Sequence, residues 1–199
     1  MSCARALQST ARTAGPVTAL GVHDETLAPY FSPTHTGFTR LNYYPLDHPL
    51  ESETAATVTG LGDMALHHHS DAGALTVLLQ DEVGGLQVSS DHADGQGWID
   101  VTPTDGALVI NIGDMMQIWS NGRYRAALHR VRPITDRPRY SVPFFFNPAY
   151  DTEVAPLVAT AEASPAKYRA VNWGDFRRAR ADGDFADYGH EIQIADFRL

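Results

Sequence analysis

The sequence predicts an antiparallel β-sandwich or jelly roll, followed by one helix near the C-terminus. From position 39 onward, short segments alternate apolar and polar residues with a period of two, as half-buried strands do. Turn-forming residues separate these segments, and no helical pattern comes between them before Pro148. Beyond Pro148 the pattern changes and favours a helix. These three observations together predict an all-β fold with a C-terminal helix.

Eight segments carry the strand pattern, and short turns connect them. The turns at Pro103–Gly106 and Ile112–Asp114 contain residues that tight turns prefer. Asn121 and Gly122 predict a hairpin, because a type I′ turn needs a positive φ at both central positions. The predicted strands are, in chain order, Thr39–Tyr44, Leu75–Leu79, Gly85–Ser89, Trp98–Val101, Ala107–Asn111, Met115–Trp119, Ala126–Val131 and Tyr140–Phe146.

One helix is predicted from Trp173 to Ala181. Asn172 can accept a hydrogen bond from the first turn and so cap the helix. Gly183 favours the end of the helix, because glycine readily adopts the left-handed conformation found there. We expect the helix to lie against the strands through the side that carries Trp173, Phe176 and Arg180.

The N-terminal segment differs in composition from the rest of the chain. Before Asp24 it contains Arg5 and Arg12, small polar residues and no acidic residue, which is similar to a transit peptide. It has no apolar core of its own, so it also fits a poorly ordered leader. We therefore expect residues 1–38 to be a leader, poorly ordered or the remnant of a longer N-terminal region, and residues 39–199 to form one domain.

Composition excludes several classes of protein. The formal net charge of −9 argues against a broad nucleic-acid surface, which needs a surplus of Lys and Arg. Cys3 is the only cysteine, so no internal disulfide is possible and a reducing compartment is favoured. No apolar run approaches the roughly 18 residues that a membrane span needs. We expect a soluble, cytoplasmic protein.

The pair His69 and Asp71, in the run His67–Asp71, is the first candidate for chemistry. Residues two apart on an extended chain point to the same side, so an imidazole and a carboxylate can face one point. On spacing alone, an exposed histidine patch is the commoner explanation for such a run. The pair therefore needs support from elsewhere in the chain.

His129 is the best candidate for a third ligand. It lies on a predicted strand, where Val131 would share its inward side while Arg130 points away. Two imidazoles and one carboxylate on one side of a metal leave positions open, an arrangement that suits iron(II). Zinc is the alternative by ligand type, although it usually takes four ligands and has no redox chemistry.

Two further pairs with the same spacing support a binding site. Arg139 and Ser141 share one side of a strand, where a guanidinium and a hydroxyl can bind a carboxylate. An inward arginine without a partner is costly to bury, although its head could also reach solvent or an internal aspartate. Asn42 and Tyr44 likewise share a side and could bind oxygens of the same ligand, although an aromatic-rich strand is the simpler explanation.

Three longer stretches contain these candidate residues or adjoin them. They are HHSDAGALTVLLQDEVGGLQV (His68–Val88), GWIDVTPTDGALVINIGDMMQIWSNGRYRAALHRV (Gly97–Val131) and RYSVPFFFNP (Arg139–Pro148). In this order they resemble the catalytic half of the isopenicillin N synthase-like iron(II)/2-oxoglutarate-dependent dioxygenases. The resemblance covers the chain from about Phe38 to its end, and the C-terminal Trp173–Gly189 is also similar to the tail of microbial and plant members.

The resemblance implies a double-stranded β-helix, a distorted jelly roll, as the catalytic domain over residues 39–199. It implies that His69, Asp71 and His129 bind Fe(2+). Arg139 and Ser141 match the R-x-S motif that binds the distal carboxylate of 2-oxoglutarate, and Asn42 and Tyr44 match the N-Y-Y segment near this cosubstrate. Further family positions are sufficiently explained by turn geometry; they are Asn111, Gly113, Asp114, Asn121 and Gly122.

The implied reaction consumes O2 and 2-oxoglutarate and releases succinate and CO2 while a small-molecule substrate is hydroxylated, desaturated or cyclised. Family members usually carry a long N-terminal region that covers part of the jelly roll, whereas 38 residues precede Thr39 here. We therefore expect either an active oxygenase or a form that binds metal and 2-oxoglutarate without turnover. An uncovered sheet face would favour self-association.

Two points stay open at this level. A zinc hydrolase could use the same three ligands, but it would leave the inward Arg139 and Ser141 unexplained. The prime substrate is not predicted. Phe145 and Tyr150 are candidates for lining its pocket, and core packing explains Phe145 equally well.

Overall fold

The computed structural model describes residues 24–31, 33–46, 66–90, 97–157, 165–185 and 192–199. Within these ranges the chain is mostly antiparallel sheet, with short helices at one end. The strands are β1 (Phe38–Thr39), β2 (Asn42–Tyr44), β3 (Leu66–His69), β4 (Leu75–Gln80), β5 (Leu86–Ser89), β6 (Trp98–Asp100), β7 (Val109–Ile112), β8 (His129–Val131), β9 (Arg139–Phe146), β10 (Glu153–Val154) and β11 (Val171–Asn172). The helices are α1 (Ala28–Phe31), α2 (Asp114–Trp119) and α3 (Trp173–Phe185), with 3-10 turns at Asp24–Leu27 and Ile194–Phe197.

Two larger sheets confirm the predicted jelly roll. The main sheet has the order β1-β9-β4-β7, with β2 also paired to β9, and the second sheet has the order β3-β8-β5-β6. Thr76 of β4 lies opposite both Asn111 and Phe145. Paired residues share one side of a sheet and neighbours in a strand alternate. We call the side with Thr76, Arg139 and Ser141 the inner face, and the side with Leu75, Leu79 and Tyr140 the outer face.

The hydrophobic core lies on one end of the outer face. Leu75 packs there with Leu27 and Phe31 from the N-terminal helical turn and with Trp119. The Phe31 ring stacks on Phe146 with centroids 4.3 Å apart. Residues 24–31, which fall within the segment predicted to be a poorly ordered leader or the remnant of a longer N-terminal region, are helical, and Leu27 and Phe31 belong to the core. Residues 1–23 lie outside the described residues, so the rest of that expectation stays a prediction.

The segment Met115–Trp119 is a helix, and the prediction of a strand there was wrong. Gly113 precedes the helix, and the side chains from Asp114 to Trp119 are all buried. A short apolar segment that is buried on every side has no polar face, so its periodicity does not distinguish helix from strand. Contacts with the core decided the outcome.

The turn at Asn121 and Gly122 is not a hairpin, although both residues have the expected positive φ, 53° and 77°. The turn ends α2 instead, because Gly122 N–H donates to the Gln117 carbonyl at 2.9 Å. The same left-handed conformation that suits a hairpin also suits a helix end. The local prediction was correct for the backbone angle and wrong for the motif.

The predicted C-terminal helix is confirmed, but it ends at Phe185 rather than at Ala181. Asn172 Oδ1 accepts a hydrogen bond from Asp175 N–H at 3.1 Å, as a cap does. The helix continues through Gly183, because an interior glycine costs only about 1 kcal/mol relative to alanine. The predicted contact side is also confirmed: Trp173, Phe176 and Arg180 are all buried.

Strand ends differ from the prediction by a few residues, and β3 was not predicted as a strand. The turn before β7 is confirmed, since Ala107 N–H donates to the Thr104 carbonyl at 3.1 Å and Gly106 has a φ of 70°. Among the described residues, we find no helix with the length and apolar character needed to cross a membrane.

Candidate active site

His69 and His129 lie opposite each other on neighbouring strands of the second sheet. Their imidazole centroids are 4.4 Å apart. A β-bulge sets this register, because β3 advances three residues from Leu66 to His69 while β8 advances two from Val131 to His129. The bulge therefore brings the two imidazoles to the same side of the sheet.

Asp71 completes a cluster with the two histidines. Its Oδ1 atom lies 3.9 Å from Nε2 of His69 and 3.7 Å from Nε2 of His129. One atom from each of the three residues lies within 4.8 Å of the other two. Atoms that bind one metal at about 2.0–2.2 Å are themselves roughly 3–4 Å apart. The cluster thus has the size and the N, N, O donor set of a metal site.

Hydrogen bonds orient two of these side chains toward the centre of the cluster. Nδ1 of His129 lies 3.0 Å from the Ala127 carbonyl, so this nitrogen carries the proton and Nε2 keeps its lone pair for a metal. Oδ2 of Asp71 accepts hydrogen bonds from Thr76 Oγ1 and Asn111 Nδ2, both at 2.6 Å. These contacts leave Oδ1 facing the histidines.

Thr76 and Asn111 were not predicted as partners of the site. Asn111 was explained by turn geometry, whereas it lies within β7 with its amide on the inner face. A signal was present, since each is a polar residue between two apolar neighbours in its strand. The sequence did not say which carboxylate they would meet.

Helix α2 supports the loop that carries Asp71. Asp114 N–H donates to the Asp71 carbonyl at 2.8 Å, and Met115 N–H donates to the Gly73 carbonyl at 3.0 Å. A Cβ on Gly113 would lie 2.2 Å from the Gly73 carbonyl oxygen, so only glycine allows this approach. The first turn of the helix therefore holds the loop backbone at a fixed distance.

A buried ion pair connects the same loop to α3. Arg180 Nη2 lies 3.0 Å from Oδ2 of Asp114 and donates to the Ser70 carbonyl at 3.4 Å. Both charged side chains are almost completely buried. Removing one partner would leave an uncompensated buried charge, so the pair keeps the helix and the loop together. The sequence predicted that Arg180 lies against the strands but not this pairing.

Arg139 forms a second polar cluster on the inner face. It is buried, and its guanidinium donates to the Gly84 carbonyl at 2.6 Å, to Ser141 Oγ at 3.2 Å and to Gln80 Oε1 at 3.4 Å. All three acceptors are neutral. No carboxylate of the described residues forms an ion pair with this arginine. A buried cation without a counter-ion favours an anionic ligand.

Asn42 and Tyr44 extend this cluster from the neighbouring strand β2. Asn42 lies opposite Ser141 and donates to its Oγ at 3.3 Å. Tyr44 lies opposite Arg139, whose guanidinium carbon is 4.9 Å from the ring centroid. The structure thus brings together the four residues that the sequence grouped as a cosubstrate site.

His68 turns away from both clusters. Its ring faces Trp98 with centroids 6.3 Å apart, as expected for a neighbour without a ligand role. Phe145 stacks on Phe38 with centroids 4.9 Å apart and lies on the inner face. The Arg139 cluster and this aromatic pair therefore lie on the inner face of the main sheet, and the metal cluster contacts the same face through Thr76 and Asn111.

Known proteins are similar to this chain in both sequence and fold. The model of the 2OG-Fe(II) oxygenase superfamily matches residues 35–148. Gibberellin 2-beta-dioxygenase 6 of Oryza sativa subsp. japonica is 38% identical over 162 residues, which are 81% of this chain and 40% of that protein. The chain thus spans about two fifths of the length of this relative.

Solved structures show the same fold. JOX2, crystallised in complex with 2OG, Fe and JA, is 32% identical with a TM-score of 0.71, covering 87% of this chain and 48% of that one. The dioxygenase for auxin oxidation in rice is 31% identical with a TM-score of 0.69, covering 92% of this chain and 56% of that one. The double-stranded β-helix expected from the sequence is confirmed.

Proposed function

The chain belongs to the 2OG-Fe(II) oxygenase superfamily, and on that premise we propose that it is an iron(II)- and 2-oxoglutarate-dependent oxygenase of a small molecule. One observation carries the proposal: a metal-sized cluster contacts, through Thr76 and Asn111, the same face of the main sheet that buries Arg139 without a counter-ion among the described residues. A zinc hydrolase would need the first feature but not the second. The pair of features favours a metal that works together with an anionic cosubstrate.

His69, Asp71 and His129 are the proposed ligands of iron(II). Their donor atoms fit this metal because two imidazole nitrogens and one carboxylate oxygen leave other coordination positions open. The Ala127 carbonyl holds the proton on Nδ1 of His129, so the histidine binds as a neutral ligand. Thr76 and Asn111 hold the Asp71 carboxylate in one rotamer, which lowers the entropy lost on metal binding.

Arg139 and Ser141 are the proposed binding groups for the distal carboxylate of 2-oxoglutarate. The guanidinium keeps two N–H groups near neutral acceptors that a carboxylate can replace. Asn42 holds the Ser141 hydroxyl in place, and Tyr44 stacks beside the guanidinium. Burial strengthens these charge-assisted hydrogen bonds and keeps water away from them.

The chemistry supplied by bound iron is activation of O2, coupled to conversion of 2-oxoglutarate to succinate and CO2. The chain's share is positioning: the bulge in β3 and the first turn of α2 place the ligands, and the inner face aligns the cosubstrate with them. Hydroxylation, desaturation and ring closure are all compatible with this arrangement.

The first test is an anaerobic titration of the purified chain with iron(II) and then with 2-oxoglutarate. We expect a visible charge-transfer band that needs both additions, followed by succinate formation when O2 is admitted. Absence of the band would exclude the proposal. A band without succinate would support the alternative, a protein that binds metal and 2-oxoglutarate without turnover. Zinc is the control, because it can occupy the site without giving the band.

We further propose a cytoplasmic protein that associates with itself through the open part of the outer face. The lone Cys3 favours a reducing compartment. Leu79, Ile110 and Tyr140 each expose more than half of their surface on one side of the main sheet. Contiguous apolar surface of this kind favours association.

A further inference from the structure

A cavity of about 360 Å³ opens beside the C-terminal end of β9. The segment before β1, the segment after β9 and the first turns of α3 all contribute to its wall. Its volume falls within the roughly 300–1,000 Å³ of cavities that bind small molecules. The lining residues are Thr36, Phe38, Asn147, Tyr150, Trp173 and Arg177.

Two polar side chains of this cavity are unpartnered within the described part of the chain. Asn147 is only 4% exposed, yet its side-chain amide forms no hydrogen bond with a described residue. The Arg177 guanidinium forms neither a hydrogen bond nor an ion pair there. Arg177 is half-buried, and both side chains line the cavity. Their donors are therefore available to a ligand that accepts hydrogen bonds.

Hydrogen bonds and a ring contact fix Thr36, Phe38 and Trp173 in the wall of the cavity. Trp173 Nε1 donates to Thr36 Oγ1 at 2.9 Å, and the Thr36 hydroxyl donates to the Pro148 carbonyl at 2.7 Å. Phe38 stacks on Phe145. The cavity is therefore formed before any ligand arrives, which reduces the entropy lost on binding.

A short chain of contacts connects the cavity to the metal cluster, at the end of β9 opposite Arg139. Phe145 lies opposite both Phe38 and Thr76, and the Thr76 hydroxyl contacts Asp71. The Asn147 side chain packs so closely on Gly73, two residues after Asp71, that a Cβ there would lie 1.8 Å from Oδ1. Arg139 is at the other end of β9, roughly 23 Å away at about 3.3 Å per residue.

We propose that this cavity binds the prime substrate, and that Arg177 and Asn147 bind the carboxylate of a flat, unsaturated or aromatic acid. That the acid is a substrate rests on the proposed oxygenase function, whereas its binding in the cavity does not. A guanidinium presents paired donors that match a carboxylate, and the asparagine amide adds a further donor. None of the lining residues that the structure describes is acidic, so this part of the wall does not repel an anion.

The aromatic walls of the cavity and the charge of Arg177 restrict the kind of ligand that fits. The rings of Phe38 and Tyr150 offer partly exposed apolar surfaces on which a flat group can stack. One guanidinium neutralises the single charge of a carboxylate but only part of a phosphate dianion. A monocarboxylic acid with a flat body therefore fits better than a phosphate ester or a neutral terpenoid.

The test uses the full chain and two fluorinated probes, 4-fluorocinnamate and its neutral amide, observed by 19F NMR. Excess 2-oxoglutarate is present, so that it competes for the Arg139 cluster. We expect Arg177→Gln to weaken binding of the acid about tenfold to a hundredfold, which is the effect of one charge-assisted hydrogen bond. The amide should bind weakly to wild type and variant alike.

The matched control is Arg178→Gln, which removes the same charge from the next position of α3. Arg178 is exposed and pairs with Asp175 at 3.4 Å. The control should bind the acid like wild type. The proposal is overturned if wild type does not bind the acid, if it binds the amide equally well, or if both variants weaken binding equally.

Failure of this inference is distinguishable from failure of the proposed function. Probe binding needs neither iron nor turnover, whereas succinate formation without substrate needs both. Succinate formation with unchanged probe binding in Arg177→Gln would overturn the inference alone. Probe binding that depends on Arg177, in a chain that forms no succinate, would support an acid-binding cavity and overturn only the oxygenase.

Discussion

The two faces of the main sheet are built from the same strands, yet the inner face buries polar side chains while part of the outer face exposes apolar ones. On the inner face, Arg139 and Ser141 are 1% and 3% exposed. Tyr140, between them in the chain, is on the outer face and is 57% exposed. Burial of a cation costs free energy that packing alone does not return. The inner face therefore indicates selection for a ligand rather than for stability.

The outer face is itself divided. Leu75 is 7% exposed under the N-terminal helical turn, whereas Leu79 on the same strand is 51% exposed. Both are leucines on the same side of β4. Apolar composition therefore does not distinguish the core from the open surface; only the elements that pack on it do.

The largest effect is expected from Arg139→Met, which removes the charge from the inner face. Each charge-assisted hydrogen bond contributes about 1.5–3 kcal/mol, so loss of two should weaken 2-oxoglutarate binding by a hundredfold or more, at about 1.4 kcal/mol per factor of ten. Affinity for iron(II) should change little. Anaerobic titration of the charge-transfer band measures the first quantity, and competition with a chelator measures the second.

Arg137→Met is the control for this variant, since Arg137 is exposed and pairs with the exposed Glu82 at 2.7 Å. It should bind 2-oxoglutarate like wild type. Equal affinities in wild type and Arg139→Met would show that the inner arginine has a structural role only.

A smaller effect is expected from Asn111→Ala, which removes one of the two donors to Asp71. Loss of such a supporting hydrogen bond typically lowers metal affinity by about tenfold to a hundredfold. Thr76→Val removes the other donor, and because both donors share Oδ2, the two effects should not add. Chelator competition with iron(II) measures the metal affinity of each single variant and of the double variant. Gln87→Ala is the control, an amide of the second sheet that contacts Asp100 and Arg130 rather than Asp71. Strict additivity of the two effects would contradict a shared role.

The smallest effect on the site is expected from Leu79→Lys on the open outer face. Substitutions of exposed residues usually change the free energy of unfolding by no more than about 0.5 kcal/mol. Iron and 2-oxoglutarate binding should be unchanged, while self-association, measured by analytical ultracentrifugation, should decrease. Leu199→Lys changes an exposed leucine outside the sheet and should leave association as it is. If Leu79→Lys associates like wild type, the outer face does not mediate self-association.

The sequence predicted much of the candidate site because two of its residue pairs, Arg139 with Ser141 and Asn42 with Tyr44, depend only on spacing along one strand. An extended chain alternates sides, so Arg139 and Ser141 share a face wherever the strand lies. The same rule grouped Asn42 with Tyr44. It did not predict that Thr76 and Asn111 contact Asp71, because that contact depends on how three strands align.

The failures have a related cause. Met115–Trp119 was assigned to a strand because a segment buried on all sides shows no periodicity. The helical turn at 24–31 was assigned to the leader because its few apolar residues, Leu27 and Phe31, have a role only beside Trp119. Both segments have packing partners that are distant in the chain.

By itself, then, the sequence determined most of the strand pattern, the pairing of His69 with Asp71 in one motif, and the polar inner face of β9. Only the tertiary structure decided that a bulge in β3 sets His69 opposite His129, and that Asn147 and Arg177 meet in one cavity. The physical reason is that alternation follows from the geometry of a single extended chain. Register and packing follow from hydrogen bonds and buried contacts between segments that are far apart in the chain.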